Sequence, residues 1–365
     1  MLFPTKSSLA GWTGVRLGAI FVLSCAGLAM ATDVPSRWGG TEPVIDASGH
    51  IQGKISHRLA DRSVMLSPFG EINPLANLKG LPTGGAKTAA SKLITYHGGP
   101  VMTSVSKVVV IWYGNWNQTN STDTPAGQQL IRDALYGLSV TPDGTFTNYS
   151  GITTGRSSTL GLFTQSGGQS VSQISSATIT EFTQATSATY GNKKLTDAKV
   201  LSLVKAYAGT PDPNAIYLVL SSSDIDETSG FGSQYCGWHT FSTVSNVVTK
   251  YAFIGNPSRY MSACAAQTVS PNGNAGVDAM ISVIAHELAE AATDPKLNAW
   301  YDRSGNENAD ICAWTFGSAQ VLESNNSYSN VRLPKQGGGT RSYLLQRALA
   351  ASNSKCYINA TGSVQ

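Results

Sequence analysis

The chain has 365 residues, of which 41% are hydrophobic and only 13% charged, enough for one large domain or two with a sizeable core. Its net charge is +3, from 25 Lys+Arg against 22 Asp+Glu. Residues 1–31 hold two of the basic residues and no acidic ones, so the remainder balances at 23 against 22, which excludes the basic footprint of a nucleic-acid or anionic-membrane binder.

Residues 1–31 read as a cleavable export signal. Lys6 and Arg16 give a positive start, Leu17 to Leu28 an uncharged apolar run, and Ala29-Met30-Ala31 a small-x-small cleavage site before Thr32. The apolar run is too short to span a bilayer, and no later segment is long and apolar enough to do so. The expectation is a secreted, extracellular protein with no membrane span. Five cysteines are encoded, and Cys25 leaves with the signal. Cys236, Cys264, Cys312 and Cys356 then allow three pairings of two disulfides, suited to an oxidising compartment. Sequence does not choose among the pairings. Cys236–Cys264 and Cys312–Cys356 are favoured because each closes a modest loop.

Residues 32–90 show little periodicity and are punctuated by Pro35, Pro43, Pro68, Pro74 and Pro82. They read as an irregular N-terminal extension or prosegment. Regular pattern begins near residue 91. Leu93–His97 and Lys107–Tyr113 read as strands, the second a continuous apolar run. Pro125–Leu138, Ser172–Thr186 and Thr196–Tyr207 read as helices. Ala215–Leu220 and Tyr251–Gly255 are further strands. This alternation predicts an α/β fold over 91–365: a single layered domain with a central mostly parallel or mixed sheet.

Val277–Ala292 carries the chemistry. Val277, Met280, Ile281, Ile284 and Leu288 recur at helical spacing, so one stripe is buried. Asp294 precedes Pro295 and ends the helix. Into this apolar, Ala-rich helix are set His286, Glu287 and Glu290, whose burial costs free energy unless each finds a partner or a metal. His286 and Glu290 are four apart on one face, so one ion can bridge them. Glu287 is the next residue round, placed to hold a water. The pattern is a zincin-like active-site helix, His-Glu-x-x-Glu, with Glu290 where a second histidine usually stands. Carboxylate oxygen is an accepted zinc ligand. Further ligands are sought in Asp310 and Glu307, after a turn at Ser304-Gly305, and in His239, beside Cys236.

The expected site is therefore Zn2+ held by His286, Glu290 and Asp310, with His239 as a further ligand and Glu307 as ligand or outer support. Glu287 is the general base. The competing structural reading makes His286–Glu290 a helix-surface pair beside exposed alanines, Glu307 and Asp310 solvated turn residues, and His239 a hydrogen-bonded core histidine. No G-x-S-x-G elbow or phosphate-binding loop is present.

The segments Tyr96-His97-Gly98-Gly99-Pro100, Val109-Val110-Ile111-Trp112-Tyr113-Gly114, Cys236-Gly237-Trp238-His239, Phe253-Ile254-Gly255-Asn256, Asp294-Pro295 to Trp300-Tyr301, and Glu307-x-x-Asp310-x-Cys312 together carry a resemblance. From Tyr96 to Cys356 the chain resembles the EXORDIUM / phosphate-induced protein 1 family, as a microbial-type member keeping the His-Glu pair. The resemblance implies an extracellular location and, in plants, a link to growth and cell-wall responses; it supplies no catalytic mechanism. Two functions are carried forward. One is a secreted zinc-dependent hydrolase, peptidase-like, acting on an extracellular peptide or cell-wall component. The other is a non-catalytic extracellular signalling or wall-associated binding protein.

Overall fold

The computed structural model describes residues 43–52, 55–58, 94–105, 107–139, 145–147, 153–155, 163–169, 171, 179–317, 320–351 and 355–357. The export signal read over 1–31 lies outside these residues, as does most of the extension read over 32–90. No helix among the described residues is long and apolar enough to cross a membrane.

A six-stranded mixed sheet organises the molecule. In chain order its strands are β1 (Ile55–Arg58), β2 (Lys107–Tyr113), β3 (Ile179–Gln184), β4 (Ala215–Ser221), β5 (Tyr235–Val244) and β6 (Val247–Gly255). Their spatial order is β1-β5-β6-β4-β2-β3. Strands β6, β4, β2 and β3 pair in parallel, while β5 is antiparallel to both β6 and β1. Strands β2 and β4 are buried on both faces, which is why they read as unbroken runs of Val, Ile, Leu and aromatic residues.

Helices cover both faces. On one, α1 (Pro125–Ser139) and α3 (Ala275–Thr293) pack over Val108, Val110, Trp112, Leu218 and Ile254. On the other, α2 (Asp197–Ala208) packs Val200, Leu203 and Val204 against Val109, Tyr217 and Phe253. The Thr196 hydroxyl caps α2 by accepting from the Lys199 N–H.

Two sequence expectations change. The helix expected over Ser172–Thr186 is a strand where it is described: β3 runs beside β2 with Val108 opposite Ile179 and Tyr113 opposite Gln184. Ile179, Thr180, Phe182 and Thr183 favour the extended state, where branched and aromatic side chains fit a pleated surface. Glu181 fixes the register by accepting from Trp112 Nε1 at 2.8 Å and pairing with Arg132 at 2.8 Å. The second change is β5, which the sequence reading left without an element. Its hairpin with β6 turns at Ser245 and Asn246, both at positive φ (49° and 64°), the backbone of a tight two-residue hairpin. Within the extension, Ile55–Arg58 forms β1 at the edge of the sheet.

Both favoured disulfides form: Cys236–Cys264 with Cα atoms 5.4 Å apart, and Cys312–Cys356 at 5.7 Å. The second ties a short 3-10 turn, Asp310–Cys312, to the C-terminal hairpin Ala348–Ala350/Lys355–Tyr357. Closing a loop of 44 residues restricts the unfolded chain. Replacing Cys312 and Cys356 together by Ser should therefore lower unfolding free energy by about 2–4 kcal/mol in denaturant titrations. An unchanged midpoint would count against this anchoring role.

Candidate metal centre

Helix α3 places the first three groups. Asn274 caps its start, the side-chain oxygen accepting from the Val277 N–H at 3.2 Å. Asp294 ends it, accepting from the N–H groups of Asn298 and Ala299 at 2.6 Å each. Between these caps the helix is buried on almost every side, Ala285, Ala289, Ala291 and Ala292 included. The expectation of a single buried stripe therefore understates it: α3 is wedged between the sheet and α1, and a helix apolar all round belongs in a core. The exposed-alanine reading of the His286–Glu290 pair fails for the same reason.

Strand β5 supplies His239 from the opposite side. Gly237 and His239 lie on the strand face toward α3, while Trp238 faces the α2 side. Gly237 sets the spacing. A Cβ there would stand 2.7 Å from Val283 Cγ1 and 3.1 Å from Glu287 Oε1, so only glycine lets helix and strand come this close. The third element is the segment 302–312. Asp302 shapes its turn, Oδ1 accepting from the N–H groups of Ser304 and Asn306 at 2.8 Å each, with Gly305 at φ 75°. Glu307 and Asp310 follow, and Cys312 locks the end.

All six expected groups converge. His286 Nε2 lies 3.1 Å from Glu290 Oε1 and 3.7 Å from Asp310 Oδ1. His239 Nδ1 lies 3.0 Å from Glu287 Oε2 and 3.6 Å from Glu290 Oε2, and its Nε2 is 3.5 Å from Glu307 Oε2. The Asp310 N–H donates to Glu290 Oε1 at 2.8 Å, and the Glu307 N–H donates to Asp310 Oδ2 at 3.2 Å. His239, His286, Glu287, Glu290 and Glu307 are at most 1% exposed, so none is a solvated turn or surface residue. Among the described residues, two sets of three can each offer one ligand atom with all atoms within 4.8 Å: His286, Glu290 and Asp310, and His239, Glu290 and Glu307. Two ligands about 2.1 Å from one tetrahedral zinc are about 3.4 Å apart, so these spacings fit an ion between them.

The electrostatics favour a cation. Burial works against a charged His286, yet the Glu290 charge, hydrogen bonds to Asp310 and Glu290, and the Glu287 charge outweigh it and raise the imidazole to about 10. Glu290 is raised too, by burial first and by the Asp310 carboxylate second. Without a metal, protons supply the positive charge that the cluster demands. His97, by contrast, belongs elsewhere: its ring stacks on Tyr301 at 3.6 Å.

The conserved region of phosphate-induced protein 1 matches residues 94–359. The chain belongs to the phosphate-induced protein 1 family. It is 29% identical to Protein EXORDIUM-like 3 of Arabidopsis thaliana over 69% of this chain and 79% of that protein. It is 31% identical to Protein EXORDIUM-like 5 of the same plant, over 62% and 65% of the two chains. Protein EXORDIUM itself is 28% identical over 62% and 74%. No solved structure matches the chain. All six site residues fall inside the family region.

The raised groups give a sign to pH dependence. A pKa higher in the folded than in the unfolded chain means that folding binds protons, so stability falls as pH rises. For His286 that stability is present below 6.5 and is lost as pH climbs through about 10; Glu290, raised from 4.5, acts in the same direction. Chelator-stripped protein should show falling denaturation midpoints across that window. A midpoint that rises there would contradict the arrangement.

Proposed function

We propose that this family member is a secreted, zinc-dependent hydrolase acting on an extracellular peptide or cell-wall component. The observation that carries the reading is the buried convergence of His286, Glu290, Asp310, His239 and Glu307, with Glu287 against His239. His286, Glu290 and Asp310 form the zinc-binding set, with His239 and Glu307 as further donors. Zinc bound there would polarise a carbonyl and lower the pKa of water. Glu287 takes the proton. Its carboxylate has several lone-pair positions, so accepting from His239 at Oε2 leaves capacity for a water proton. The two disulfides suit the oxidising compartment that the export signal predicts.

Strand β1 supports a peptide substrate. It adds antiparallel to β5 with Ile55 opposite His239, and it touches α3. An extended chain of the enzyme's own extension thus occupies the sheet edge beside the site, where strand addition would hold a substrate. In this reading the extension is a prosegment. Cutting the intact protein between residues 59 and 93 should raise peptide hydrolysis; an unchanged rate would speak against a prosegment.

Full burial of the site favours the second reading, a non-catalytic extracellular binding protein with a structural metal. Two substitutions separate them. His286→Ala should lose the zinc held by His286, Glu290 and Asp310, and hydrolysis with it. Glu287→Gln keeps size and polarity but cannot take a proton, so metal content should persist while turnover falls by about a hundredfold or more. Stoichiometric metal with no hydrolysis across peptide and glycan libraries, before or after cleavage of the extension, would leave the binding protein as the answer.

A further inference from the structure

We infer that the site takes two divalent cations bridged by Glu290, one beside His286 and Asp310 and one beside His239 and Glu307. The inference rests on the metal reading above and deepens it. Glu290 is the residue common to both three-ligand sets. Its two oxygens point to different partners: Oε1 toward His286 Nε2 at 3.1 Å and Oε2 toward the His239 ring, 3.6 Å from Nδ1. Oε2 is completely buried and has no hydrogen-bond partner, the state of an oxygen whose partner is an ion.

Charge leads to the same count. Glu287, Glu290, Glu307 and Asp310 carry four negative charges when ionised, and two neutral imidazoles carry none. One divalent ion leaves two of these charges for protons to neutralise among side chains at most 6% exposed. Two divalent ions balance the site, and an unbalanced buried charge is strongly unfavourable. Each position then has one nitrogen and two carboxylates, a donor set for zinc, manganese or iron(II). The outer support is in place for the second position. With the His239 Nδ1–H donating to Glu287 Oε2 at 3.0 Å, the ring takes the tautomer that presents Nε2 as a lone pair on the Glu307 side. A carboxylate behind a ligating histidine fixes tautomer and ring orientation in this way. Glu287 is thereby a positioning residue for His239 as well as the proposed base.

The test is metal content of the purified full chain, stripped with chelator and reloaded with zinc or manganese(II). Mass-spectrometric analysis should find two ions per chain. Manganese-loaded protein should give the exchange-coupled electron paramagnetic resonance spectrum of a carboxylate-bridged pair, a readout needing no variant and no substrate. Glu307→Gln and Asp310→Asn should each hold one ion and lose the coupled signal. One ion per wild-type chain, with an isolated-manganese spectrum, overturns the pair and leaves the hydrolase proposal standing. No bound ion overturns both. Glu307→Gln that still holds two coupled ions also overturns the pair.

Discussion

Four carboxylates closing on two imidazoles inside an apolar core set the terms for this molecule. Like charges at these separations repel, and burial removes the water that would screen them. Burial and the Asp310 carboxylate push Glu290 up, and the surrounding carboxylates push His286 up against the effect of its burial. Such a cluster persists only if the surrounding structure holds it and something positive relieves it. The scaffold does the first; a divalent metal is the natural agent of the second.

The holding is distributed over three separate stretches of chain. Helix α3 is clamped by caps at both ends and by packing on nearly all sides, which fixes His286, Glu287 and Glu290 together. Strand β5 is fixed by pairing on both edges, with β6 and β1, so His239 has little freedom. The 302–312 segment has little regular structure of its own and depends on the Asp302 turn and the Cys312–Cys356 bond. Gly237 joins the first two, since the helix–strand distance decides whether Glu287 reaches His239. A site assembled this way belongs to the folded chain alone, so any ion it binds and its disulfides act on the same equilibrium.

Much of this was legible in the sequence, for identifiable reasons. The central strands β2 and β4 announce themselves because burial on both faces demands unbroken apolar runs. Helix α3 is legible because His286, Glu287 and Glu290 stand out against Ala, Ile and Val at helical spacing. Strand β5 was not, because Cys236, Gly237, His239 and Thr240 dilute its hydrophobicity; the usable signal was the Ser245-Asn246 turn. Strand β3 was misread because Ser, Thr and Gln around Ile179 fit either period, and only its partner β2 decides. His239, Glu307 and Asp310 were visible as candidates. Which atoms meet was not visible, since that follows from a helix–strand spacing that no local pattern encodes. The sharing of Glu290 between two ligand sets is of the same kind.

Anomalous diffraction at the zinc edge, from crystals of the zinc-loaded chain, tests the cluster most directly. Anomalous density is expected between α3 and the 302–312 segment, about 2.0–2.2 Å from His286 Nε2 and from a Glu290 oxygen. The contradicting result is a crystal with these side chains in the same places, no anomalous density among them, and protons alone bridging the carboxylates.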